Sequence, residues 1–121
     1  MELSELSKQR LEGVDERLKA VVYGVAERCT YPFNVSEGLR SIEQQREYYN
    51  QGKSKTMNSK HLIGKAVDIY PLTMDRRKID WSKCDDLARL MKEVARELDV
   101  TIVWGGDWKS IVDKPHFEIP N

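Results

Sequence analysis

The stretch Ala66-Val67-Asp68-Ile69-Tyr70-Pro71 constrains the fold more than any other part of the chain. It alternates and stops at proline, the pattern of a β-strand with Val67 and Ile69 on one side and Asp68 on the other. The apolar neighbours place the strand near the interior, where a carboxylate must be paired or bound to a cation. The segment therefore predicts a strand and a partner for Asp68.

Helical periodicity lies on either side of it. From Asp15 to Cys29 the residues Leu18, Val21, Val22, Val25 and Cys29 recur at three- and four-residue steps, as do Cys84, Leu87, Met91, Val94 and Leu98 between Asp80 and Leu98. Ser41-Ile42-Glu43-Gln44 has the form of a capping box that starts a further helix through Tyr49, ended by Gly52. Tyr31 to Val35 is predicted as a short strand, followed by a turn at Gly38 that delivers Arg40. Thr101 to Trp104 and His116 to Ile119 are predicted as two more strands, and the aperiodic KSKTMNSK as a polar loop. With no repeat or linker, 121 residues predict one domain, 1–121. The expected class is α+β, a small antiparallel sheet packed with about three helices.

Charge excludes some functions. Lysines and arginines number 20 and acidic residues 20, which gives no global pull toward nucleic acid or an anionic membrane. No apolar run is long enough to span a bilayer, and the charged N-terminal stretch lacks the core of a signal peptide. A protein made in the cytoplasm without a Sec-type export signal is expected. Cys29 and Cys84 stand far apart on apolar helix faces and are predicted to be buried free thiols.

The chemistry rests on two histidines. His61 and Asp68 are seven steps apart, so an unbroken strand would put them on opposite faces and roughly 23 Å apart. Gly64 between them can take a positive φ and fold the chain back, letting imidazole and carboxylate converge. The alternative is a solvated loop followed by a strand aspartate. His116 opens the last strand behind Pro115, with Asp113 three residues earlier. Two imidazoles and one carboxylate are the ligand set of catalytic zinc sites, which keep a fourth position for water, whereas structural zinc is closed by four protein ligands. Asp113 is the candidate general base. Arg40 is either an exposed arginine or a fork of donors for a substrate carboxylate or oxyanion. Trp104 and Trp108, around Gly105-Gly106-Asp107, belong either to the core or to a groove wall.

SEGLRSIEQQREYYNQGKSKTMNSKHLIGKAVDIYP and WGGDWKSIVDKPHFEIP together resemble the zinc D-Ala-D-Ala and L-Ala-D-Glu peptidases, most of all the compact bacteriophage L-alanyl-D-glutamate endolysins. The resemblance implies the fold shared with hedgehog-type domains, zinc held by His61, Asp68 and His116 at the sheet, and Asp113 as base. It also implies substrate contacts by Arg40 and Ser59. Many relatives carry glutamate at the base position, while the endolysin branch uses aspartate. Lys53 stands where similar sequences often have arginine. The implied substrate is the stem peptide of bacterial peptidoglycan and the implied role is host-cell lysis by a monomer, released through a pore made by another phage protein.

Three rival readings remain on the residues alone. One is a carboxypeptidase or dipeptidase acting on D-alanyl-D-alanine, and another is a zinc-containing binding module without catalysis. The third is a metal-free structural protein.

Overall fold

The computed structural model describes residues 1–54 and 57–120. Ser4 accepts from the Ser7 N–H and starts α1 (Glu5–Arg10), and Asp15 caps α2 (Glu16–Arg28) in the same way through Arg17. Strand β1 (Phe33–Glu37) leads to α3 (Ile42–Asn50), whose N-cap Ser41 accepts from the Gln44 N–H. A 3-10 turn over Lys60–Ile63 precedes β2 (Ala66–Pro71). A second 3-10 turn at Trp81–Lys83 opens α4 (Cys84–Glu97), followed by β3 (Val103–Trp104) and β4 (His116–Glu118).

The four strands form one antiparallel sheet in the order β1-β2-β4-β3. Residues directly opposite one another point to the same face, so the register sorts the sheet into two sides. Val35 opposite Ile69 and Val67 opposite Phe117 lie on the side where Leu18, Val22, Val25, Leu87, Met91 and Val94 of α2 and α4 complete the core. Each such side chain, fully buried, contributes about 1.5–3 kcal/mol. Asp68 opposite His116 lies on the other side. The outer edge of β1 is covered by α1: the Ser7 hydroxyl accepts from the Val35 N–H at 3.0 Å, and Arg10 donates to the Val35 carbonyl at 3.1 Å.

The α+β class and the antiparallel sheet are as expected, and Cys29 and Cys84 are buried free thiols. Several boundaries differ. The described residues form four α-helices rather than about three, because α1, at six residues, is too short to show a periodic apolar stripe. The first strand begins at Phe33 rather than Tyr31 and runs on through a bulge to Glu37. The helix expected from Asp80 begins at Cys84, since the Asp80 carboxylate caps the 3-10 turn instead. Leu98, expected on the buried stripe, is 48% exposed. The helix ends before it, Asp99 turns left-handed at φ 57°, and Val100 packs against the core instead. Only Val103 and Trp104 of the predicted third strand pair, and β4 ends at Glu118. Of the polar loop, residues 55 and 56 lie outside the described residues. Among those described, no helix is long and apolar enough to cross a membrane.

Candidate metal centre and cleft

The polar face of the sheet forms the floor of an open cleft of about 660 Å³, within the range of ligand sites. His61 reaches it from the 3-10 turn that Ser59 caps, with its hydroxyl accepting from the His61 N–H at 3.2 Å. Gly64 ends that turn at φ +70°, and the chain passes through Lys65 into β2, so His61 and Asp68 meet rather than diverge. His116 comes from β4, opposite Asp68.

The side chains are oriented by what stands behind them. The His61 ring lies with Nδ1 2.8 Å from the Gly38 carbonyl, which can only accept, so Nδ1 carries the proton and Nε2 turns a lone pair toward Asp68 Oδ1 at 3.3 Å. His116 Nε2 is 2.7 Å from Glu118 Oε1, an acceptor when ionised, so Nε2 donates and Nδ1 faces Asp68 Oδ1 at 3.2 Å. Lone pairs on three acceptor atoms thus converge, all within 4.8 Å of one another, and need a cation between them. A tetrahedral ion with bonds of about 2.0–2.1 Å holds its ligand atoms about 3.3 Å apart. The donor set and the two histidine–aspartate spacings therefore fit such an ion. Burial opposes ionisation of Asp68, but hydrogen bonds from His116 and His61 hold its carboxyl well below the usual range. Burial likewise disfavours charge on His116, and Asp68 and Glu118 outweigh it and raise the imidazole above its ordinary value.

Asp113 lines the same cleft from the loop before β4. Its backbone is fixed to Gly105 by a 2.9 Å hydrogen bond, and a Cβ on Gly105 would lie 2.3 Å from the Asp113 carbonyl oxygen. The glycine is required for this close approach. Burial and the charge of Asp68 push the Asp113 carboxyl above its ordinary value, with His116, His61 and Arg40 pulling the other way. A carboxylate so raised, beside a cation site, is placed to take and return a proton.

Arg40, for which an exposed position was one expectation, has a side chain only 9% exposed. Its guanidinium pairs with Glu37, donates to Gln45 Oε1 and, at 3.4 Å, to the Ser59 hydroxyl, and stacks 4.9 Å over the Tyr48 ring. Its Nε–H has no partner among the described residues. Ser59 thus touches both Arg40 and the backbone of His61. The two tryptophans part company: Trp104 stacks on Phe117 at the core, while Trp108 lines the cleft 5.0 Å from the His116 ring.

The structure gathers all six residues singled out in the sequence, Arg40, Ser59, His61, Asp68, Asp113 and His116, around one cleft. Glu37 and Glu118 were missed. The bulge in β1 turns Glu37 to the site opposite Asp68, with Oε1 4.0 Å from His61 Nε2, and nothing in the sequence marks that bulge. Glu118 was legible, since two residues past His116 on a strand is the same face.

A family profile described as phage L-alanyl-D-glutamate peptidase matches residues 1–119. The L-alanyl-D-glutamate peptidase of Listeria phage A118 is 36% identical over 69% of this chain, which spans 29% of that protein's length. That of Escherichia phage T5 is 26% identical, covering 88% of this chain and 81% of the relative. The peptidoglycan L-alanyl-D-glutamate endopeptidase CwlK of Bacillus subtilis (strain 168) is 32% identical, covering 72% and 60%. In shape, the crystal structure of the Serratia marcescens L-Ala D-Glu endopeptidase ChiX superposes with a TM-score of 0.90 at 35% identity, covering 98% of this chain and 90% of the other.

Proposed function

The chain belongs to the phage L-alanyl-D-glutamate peptidase family, and from that premise we propose that it hydrolyses the L-Ala-D-Glu bond of the peptidoglycan stem peptide, with zinc held by His61, Asp68 and His116. The observation that carries this reading is the convergence of the three ligand atoms beside a half-buried carboxylate, Asp113, in an open cleft. Three protein ligands leave a fourth position for water, as in catalytic rather than structural zinc sites. When bound, the ion supplies Lewis acidity, lowering the pKa of water to about 7 and polarising a carbonyl.

The chain's own residues do the rest. Asp113 takes the proton of the attacking water and returns it to the departing amine of D-glutamate. Arg40 lines the cleft and provides the cation for a substrate carboxylate or the developing oxyanion, with Ser59 beside it as a further hydrogen-bonding group. Trp108 forms an apolar wall next to His116. The biological role is lysis of the host cell wall by a monomer, reaching the wall through a pore made by a separate phage protein.

Digestion of purified peptidoglycan followed by labelling of new amino termini tests the reading. New D-glutamyl α-amino groups are expected. Release of free D-alanine without them would assign the site to D-alanyl-D-alanine chemistry instead.

A further inference from the structure

We propose that Glu118 is a positioning residue that fixes the His116 ring with Nε2 protonated and Nδ1 presented to the metal site; the proposal rests on the zinc reading above. The two nitrogens of His116 are claimed by two different carboxylates, Glu118 at 2.7 Å on Nε2 and Asp68 at 3.2 Å on Nδ1. Nδ1 is the nitrogen that faces Asp68, itself a ligand in the zinc reading. A ring flip would aim a carbon at the ion, and loss of the Nε2 hydrogen bond would remove the main polar restraint against it.

Glu118 is well placed to resist that flip. It stands in β4, which has a neighbour on each side, and its backbone is opposite Ala66 of β2 and Val103 of β3. Its side chain is 17% exposed and has no other hydrogen-bond or ion-pair partner among the described residues, so its interaction is committed to His116. The ring is fenced on other sides by His61, with centroids 5.2 Å apart, and by Trp108. The two imidazoles are therefore oriented differently: a neutral carbonyl, that of Gly38, stands behind His61, and an anion stands behind His116. A carboxylate behind an imidazole ligand makes it more basic and strengthens its hold on a metal ion.

The test compares Glu118→Ala and Glu118→Gln with the parent. Two quantities are read: zinc affinity of the stripped protein by competition with a chromophoric chelator, and the His116 Nε2–H proton resonance in the zinc-loaded protein. Glu118→Ala is expected to bind zinc about 10–100-fold more weakly and to lose the protected proton signal. Glu118→Gln, which keeps an acceptor oxygen but no charge, is expected to retain the signal and lose affinity by a smaller factor. Parent-like affinity in Glu118→Gln together with a parent-like signal in Glu118→Ala overturns the proposal. Should the alanine variant not fold, unchanged affinity in the glutamine variant alone overturns it. A parent chain that binds no zinc sinks this proposal and the zinc reading together, whereas cleavage at another peptide bond sinks only the substrate assignment.

Discussion

Gly64 packs directly on Gly13: a Cβ at Gly64 would lie 2.3 Å from the Gly13 carbonyl oxygen. The Gly64 carbonyl in turn accepts from the Asp15 N–H at 2.7 Å, so the turn that brings His61 beside Asp68 is clamped to the N-cap of α2. Gly64→Ala meets both a backbone clash and a left-handed φ, which alone costs about 1–2 kcal/mol. A loss of at least about 2 kcal/mol in urea unfolding is expected, with weaker zinc binding. An unchanged midpoint would mean that the clamp does not matter.

Asp113 gives a prediction in which activity and stability move in opposite directions. Asp113→Asn should lower kcat by about 10²–10⁴-fold while zinc stays bound. In the metal-free chain, burial and the charge of Asp68 raise the Asp113 carboxyl above its ordinary value of 3.8. A folded-state pKa above the unfolded one gives a contribution present below the unfolded value and lost as pH rises through the folded value. At neutral pH the ionised Asp113 therefore costs stability, and the metal-free Asp113→Asn variant should melt at a higher temperature than the metal-free parent. Equal melting with full activity would remove Asp113 from the site.

Trp104 and Trp108 should separate stability from activity. Trp104 stacks on Phe117 with ring centroids 6.3 Å apart and donates its indole N–H to the Lys114 carbonyl at 2.7 Å. Trp104→Ala should cost about 3 kcal/mol, read from denaturant melts. Trp108 stands at the cleft, and Trp108→Ala should raise KM with a stability change within about 1 kcal/mol. A reversal of these two outcomes would mean that the core and cleft assignments are exchanged.

Much of the site was readable because a strand has a strict period of two. The parity of Val67, Asp68 and Ile69 separated core from site, and Gly64 marked the turn that His61 needs. The same parity extends from His116 to Glu118. What was not readable depends on tertiary packing. The bulge that aims Glu37 leaves no mark on an otherwise regular segment. The burial of Arg40 arises only when Glu37 of β1, Gln45 and Tyr48 of α3, and Ser59 before the 3-10 turn close around it. Leu98 kept its helical spacing but lost its burial when the chain turned at Asp99.

The central claim is that His61, Asp68 and His116 hold a catalytic zinc ion. Elemental analysis of protein purified without added metal, paired with cleavage assays before and after chelation, tests it most directly. About one equivalent of zinc is expected, with activity lost on chelation and regained on adding zinc, and with little zinc retained by Asp68→Ala. Less than about a tenth of an equivalent of any metal in the parent chain, with no gain in cleavage on adding zinc, would contradict the account.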